Sequence, residues 1–362
     1  MRTFKSALIL VVLALMFVAT GALAVSAPRT GTWYVAPPPA GNDSNDCATT
    51  TTPCATINAA LNKPGFVAGD TIRVAVGTYT GTGSEVVLLN KDATLSGGWD
   101  ATFTTQPGMS TIDGEGAFRG ITVNGNRTVL VENLAIRNGA GGIYSQGTLI
   151  LNNSIVRINV SGSGIENAGG TLTLNNSAVS NNQGRGIVNV GSATLNDSIV
   201  NSNVGAGGPG GGIANAGILT LNRCTVSNNS ASFGYEGGGI ANVGGGSLFL
   251  NNSTISNNSA GAGGGISNQD GSSTATLNNS TITANKSKTY YSGGGGIFVE
   301  YATLTIRNSI VANNVNEVYQ GQVPAPDCSG TIVSAGYNII ESVAELGARG
   351  VERRWGRTWP LA

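Results

Sequence analysis

The sequence predicts an all-β fold: a single-stranded right-handed parallel β-helix, a solenoid with three short strands per coil and an N-terminal cap containing a short helix. Three observations predict it. One motif recurs seven times between residues 142 and 315: glycines, an Ile, a short apolar strand, an Asn-Asn-Ser corner, a second short strand and another Asn. The Ile after the glycines stands at 121, 143, 165, 187, 213, 240, 266 and 297, at spacings of 22, 22, 22, 26, 27, 26 and 31. Asn recurs in the same register at several positions of the repeat. A unit of this length cannot bury its apolar side alone and must stack on its neighbours. The runs are short, alternate apolar with polar, and are rich in Ile, Val and Thr, so they read as strands. Parallel crossovers are overwhelmingly right-handed, hence the hand.

In chain order, residues 1–24 read as a secretory signal peptide. Arg2 and Lys5 supply the positive region, residues 7–18 the apolar stretch, and Ala22-Leu23-Ala24 the cleavage site, so the mature chain starts near Val25. The apolar run is short for a membrane span. Localisation is therefore expected to be secreted or cell-surface, with no membrane-spanning segment after cleavage.

Residues 25–120 read as the N-terminal cap and first irregular coils, because an open stack must cover its edge and apolar end. Residues 55–62 are expected as a short helix, 70–76 as a strand, Gly77-Thr78-Tyr79 as a turn, and 86–95 and 111–113 as further strands. Gly97-Gly98-Trp99 is expected to lay an aromatic over the end of the core. Cys47 and Cys54 enclose a Thr-rich loop and are expected to form a local disulfide, as secretion permits. Zinc is the rival, but four scattered cysteines without His do not resemble a zinc site.

Residues 121–340 are the repeats. Asn159, Asn182, Asn203, Asn229, Asn258, Asn285 and Asn314 form one ladder. Asn152, Asn175, Asn196, Asn222, Asn251 and Asn278 form a second, ended by Arg307, and Asn167, Asn189, Asn215, Asn242 and Asn268 a third. Coils about 4.8 Å apart let like amides bond along the stack. Asn also tolerates left-handed corners, so each ladder reads as corner and staple together, with sugar binding by the amides as the functional rival. Leu151, Leu174, Leu195, Leu221, Leu250, Leu277 and Ile306 form one core column; Val156, Val179, Val200, Val226, Ile255, Ile282 and Val311 form another. Cys224 replaces Ser in the column of Ser154, Ser177, Ser198, Ser253, Ser280 and Ser309, as a small buried residue. Gly-rich insertions at 205–212, 233–238 and 287–295 read as loops on one side. Register stops after Asn314, and residues 327–333 read as a last coil. Cys328 has no evident partner. Residues 341–362 form an irregular tail with Arg349, Arg353, Arg354, Arg357, Trp355 and Trp359.

These segments resemble the right-handed parallel β-helix proteins of the pectate-lyase-like superfamily over about residues 32–340. The resemblance is carried by Trp33-Tyr34-Val35, Gly41-Asn42-Asp43, Pro53-Cys54-Ala55-Thr56-Ile57, Gly69-Asp70-Thr71-Ile72-Arg73-Val74 and Gly77-Thr78-Tyr79. Within that superfamily the repeats are similar to those of polymorphic outer membrane proteins. Gly238-Gly239-Ile240, Gly264-Gly265-Ile266 and Gly295-Gly296-Ile297 match one of their motifs. Val226 with Asn229 and Ile255 with Asn258 match the other, with Val or Ile in place of Phe. Those relatives end in a membrane β-barrel for which this chain has no room.

The superfamily resemblance implies that an enzyme acting on acidic polysaccharide must be weighed. Such sites cluster carboxylates on one face, as calcium ligands or an acid/base pair. Here Glu166, Asp197, Glu236, Asp270 and Glu300 occupy different columns, and the best local group is Asp113, Glu115, Arg119 and Glu132. The chain has no His and its Gly-Gly runs lack the Asp of calcium-binding nonapeptide repeats, so no cofactor or metal is expected. Net charge is zero, with 10% charged residues, which lacks the basic footprint of a nucleic-acid binder. The expected function is a secreted or cell-surface scaffold, structural, adhesive or recognising a glycan or surface protein, with no evident catalytic site. The alternative is a polysaccharide lyase or glycoside hydrolase.

Overall fold

The computed structural model describes residues 31–232, 234–288, 293–317, 327–341 and 343–344. The expected signal peptide, residues 1–24, and most of the expected Arg-rich tail lie outside them. The described strands stack into three long parallel sheets. Sheet A has twelve strands, from Thr32–Val35 to Ile332–Ser334; sheet B has eleven, from Thr78–Tyr79 to Ile339–Ile340; sheet C has eleven, from Glu85–Leu89 to Val343–Ala344. Each coil visits A, B and C and returns to A one rung on. Thr148–Asn152, Ile155–Arg157 and Ile165–Asn167 are followed by Thr171–Asn175, which pairs with the first of them in parallel. The molecule is therefore a parallel β-helix.

Like residues meet like, as the repeat demands. Ile121, Ile143, Ile165, Ile187, Ile213, Ile240, Ile266 and Ile297 pair successively in sheet C. The Leu151 column in sheet A and the Val156 column in sheet B are in register and fully buried. Period-2 alternation sends these side chains into one continuous core and their neighbours outward.

Two features differ from the expectation of three strands and of Asn ladders at the corners. A fourth, five-stranded sheet D of two-residue strands runs from Val204–Gly205 to Val315–Asn316, in the coils that the glycine insertions lengthen. The left-handed corner residues are also not the stapling asparagines but their sequence neighbours. Asn153, Asn176, Asp197, Arg223, Asn252, Asn279 and Asn308 turn the chain from A to B, at φ between 48 and 54. Asn181, Ser202, Asn228, Asn257, Ala284 and Asn313 turn it after B. A corner residue points its side chain away from the stack, so corner and staple fall to adjacent positions.

The cap helix spans Ile57–Leu61, with the Thr56 hydroxyl accepting from the Ala59 N–H at 3.1 Å. Ile57, Ala60 and Leu61 join the main core, and Trp33 and Phe66 pack with them, ring centroids 5.8 Å apart. Trp99 does not cover the core end. A register shift places Ala75 opposite Trp99 while Arg73 pairs with Ser96, so the extra residue at Gly97-Gly98 reverses the parity of the strand. Trp99 therefore lies outside the core, against Ala36, Ala75 and Phe103, with the Arg73 guanidinium 4.1 Å from its ring. The expected strand run 86–95 is divided, Glu85–Leu89 in C and Ala93–Trp99 in A, because Asn90, Lys91 and Asp92 form a corner. Thr78–Tyr79, expected as a turn, pairs as a short strand with Thr111 and Ile112.

At the far end a last coil forms as expected, through Cys328–Ser329, Ile332–Ser334 and Ile339–Ile340. Cys328 succeeds Ile297 in the isoleucine column.

Candidate functional site

The four sequence candidates fall in three places: Asp113 with Glu115 at the end of a sheet B strand, Arg119 on sheet C and Glu132 on sheet A. Asp113 ends a strand of sheet B, where its carboxylate accepts from Arg137 Nε, Asn138 Nδ2 and the Glu115 N–H, all at 2.9 Å. Burial pushes this carboxyl up, but the hydrogen bonds and the Arg137 charge outweigh it and hold it below the ordinary Asp value. A carboxylate so held is matched to structure rather than to proton donation. Glu115 lies in the following turn, in left-handed conformation at φ 53. Arg119 lies on sheet C with its guanidinium 4.9 Å from the Tyr144 ring centroid, and Glu132 lies on sheet A between Ser96 and Asn152. The structure thus joins Asp113 to Glu115 and leaves Arg119 and Glu132 on two other sheets.

The remaining acids are placed as their columns imply. Glu166 follows Tyr144 and precedes Val188, and Asp197 is a corner residue that pairs with Arg223 at 2.6 Å. Glu300 pairs with Gln269 in register and accepts from its Nε2 at 3.3 Å. Glu236 is a signal that columns could not supply. Burial, reinforced by the nearby Glu300 charge, pushes its carboxyl above the ordinary value. Among the described residues no three His, Cys, Asp or Glu side chains converge to hold a metal ion. Cys47 and Cys54 form the expected disulfide. Cys224 is buried in its serine column, its thiol donating to the Leu195 carbonyl at 3.2 Å, and burial pushes its pKa up. Cys328 is buried too; the 31-residue step from Ile297 repeats the step from Ile266, a spacing that already marked its column.

The three Asn ladders have different surroundings. In the Asn159 ladder each residue donates both its N–H and its Nδ2 to the Oδ1 of the next coil, as Asn229 does to Asn258 at 2.9 and 3.0 Å. The other amide proton goes to a core-strand carbonyl one coil back, Val200 for Asn229 at 2.9 Å. The ladder ends on Asp327, whose Oδ1 accepts both donors of Asn314 at 2.8 Å. Every member is buried, so its amides are closed to a sugar. The Asn167 ladder is buried as well, and runs Nδ2 to Oδ1 at 2.7 Å through Asn189, Asn215, Asn242 and Asn268. The Asn152 ladder is half-buried, faces outward, and runs the opposite way, each Nδ2 donating to the coil before, as from Asn222 to Asn196 at 2.9 Å.

Two outer faces of the helix contrast. On sheet C the glycine insertions fold over the strands. Gly237, at φ 69, would bring a Cβ within 2.7 Å of the Ala241 Cα, so only glycine lets the loop lie this close. Beneath such loops the outward residues Ala241 and Ser267 are fully buried. On sheet A six consecutive strands, from Thr148–Asn152 to Thr274–Asn278, each turn three side chains outward, and none is charged. The rows are Thr148, Thr171, Ser192, Ile218, Ser247, Thr274; Ile150, Thr173, Thr194, Thr220, Phe249, Thr276; and the second Asn ladder. Charge returns only at the flanking rungs, with Glu132 before and Arg307 after.

No protein-family model matches the chain, and no curated protein matches it. Among solved structures, the crystal structure of pectate lyase Pel9A is similar, with a TM-score of 0.46 and 16% identity, over 88% of this chain and 79% of that one. The β-helix is read from the register of the chain's own sheets, and the likeness to polymorphic outer membrane proteins stands on the two repeat motifs alone.

Proposed function

We propose that the chain is a secreted or cell-surface β-helix scaffold that recognises a glycan or a surface protein and performs no catalysis. The observation that carries this reading is the uncharged, registered outer face of sheet A, combined with the separation of Asp113 on sheet B from Glu132 on sheet A. Secretion is supported by the leader residues and by the Cys47–Cys54 disulfide, which an oxidising compartment sustains. The mature protein is expected to begin at Val25, which N-terminal sequencing of secreted material checks.

The test of the non-catalytic role is a screen for unsaturated uronide and reducing-sugar release across pectins and glycosaminoglycans. No turnover above buffer is expected. Turnover abolished by Glu132→Gln or Asp113→Asn would overturn the reading. The polysaccharide-degrading alternative has one observation of its own: Glu236 is a carboxyl raised by burial beside a second acid, the sense a general acid requires. Glu236→Gln belongs in the same screen.

A further inference from the structure

The outer face of sheet A is built from groups that both donate and accept hydrogen bonds, repeated at every rung, with an exposed ring in the middle. Phe249 is 40% exposed and Ile218, diagonal to it on the preceding rung, is 52% exposed. We infer that this face binds a linear, uncharged polysaccharide lying along the helix axis, with Phe249 and Ile218 as its central stacking platform. The inference rests on the recognition reading above and names its ligand.

Charge decides against the main alternatives. Nucleic acid and anionic polymers need Lys or Arg along the contact; the six strands here carry none, and Arg223 at the corner beside them is paired with Asp197. A membrane surface needs a broad apolar or basic face, and this one is mostly Thr, Ser and Asn. A protein interface takes its energy from a desolvated apolar centre larger than one Phe and two Ile spread over six strands. A neutral glycan fits each feature. Its hydroxyls match the Thr and Ser hydroxyls as donors and acceptors alike. The outward amides already bond one another, which fixes their orientation before a ligand arrives. The C–H face of a sugar ring packs on an aromatic ring, whose surface is large, rigid and weakly negative. The rows repeat about every 4.8 Å along the axis. A β-1,4-linked chain of hexoses advances by a similar step per residue with alternate residues turned over, so a given sugar contact recurs at every second rung and weak contacts add as avidity.

Sheet C does not offer this surface, since glycine loops bury Ala241 and Ser267 there. Sheet B serves as an internal control, because Thr254 is a half-exposed Thr on a neighbouring face.

The test uses the full secreted chain in depletion assays against cellulose, chitin and neutral β-glucan, with polygalacturonate and chondroitin sulfate as anionic probes, at low and high salt. Binding to at least one neutral polymer, unchanged by salt, is expected. Phe249→Ala should weaken it about tenfold or more. Thr220→Arg should abolish it, while Thr254→Arg should leave it intact, all three variants keeping the wild-type melting transition. Absence of binding to every neutral polymer would overturn the inference. So would salt-sensitive binding to the anionic polymers alone, binding that survives Thr220→Arg, or self-association that Thr220→Arg blocks. Reducing ends measured in the same supernatants report separately on the non-catalytic reading: release of sugar sinks that reading, and silent depletion leaves it standing.

Discussion

The Asn229 ladder and the Asn222 ladder use the same amide at the same rung spacing, yet they are different devices. Asn229 is buried, donates three hydrogen bonds and accepts two, all at 2.9–3.0 Å. Asn222 is half-exposed, donates one and accepts one, and its ladder runs in the reverse direction. Residue identity is therefore silent on role here. What separates the two is whether water can replace a lost partner. Inside, it cannot, and the amide is structural; outside, it can, and the amide is available to a ligand.

Four measurements sharpen that contrast. The largest effect is expected for Asn229→Leu. It strips the acceptor from the N–H and Nδ2 of Asn203 and the donor from the Val200 carbonyl. Unpaired buried groups cost about 1–3 kcal/mol each, so a loss of about 4 kcal/mol is expected by chemical denaturation. A loss below that of Asn222→Ala would break the comparison.

Asp113 extends it to a carboxylate with three donors and a side chain 12% exposed. Asp113→Asn should cost about 1.5 kcal/mol at pH 7. Its folded pKa lies below the ordinary value, so the folded state binds fewer protons than the unfolded state as the group titrates. The stabilisation is fully present above the unfolded value of about 3.9 and is lost as pH falls through the folded one. Melts at pH 6 and pH 3 should show the gap between wild type and Asp113→Asn closing at acid pH; a constant gap contradicts the assignment.

Ile158 is a β-branched residue at φ 56, in the corner where adjacent coils use Asn138 and Asn181. Ile158→Asn should raise stability by about 1 kcal/mol, readable as a higher melting temperature. Asn222→Ala has the smallest expected effect, about 0.5 kcal/mol or less, because Asn196 and Asn251 regain water.

Much of the stack is legible from residue order, because in-register coils convert sequence spacing directly into contact. The isoleucine, leucine and valine columns, the three Asn ladders and the serine column holding Cys224 all lie where the repeat places them. Cys328 was legible too, by the repeated 31-residue step, although a thiol in an aliphatic column does not advertise itself. Trp99 was not legible. One inserted residue at Gly97-Gly98 reverses the facing of the strand, and composition carries no mark of parity. The candidate group Asp113, Glu115, Arg119 and Glu132 is close in sequence, but successive strands of a coil face different directions, so nearness along the chain separates side chains in space.

By itself the sequence determined the coil, its period and its core columns, since each follows from a local pattern that stacking merely repeats, and the disulfide pair, since its two cysteines enclose one short loop. Only the tertiary structure decided which Asn ladder is sealed from water and which faces it, in which direction each ladder donates, and where the glycine loops lie. Those outcomes depend on what packs across from a residue, and that is settled when the coil closes on itself.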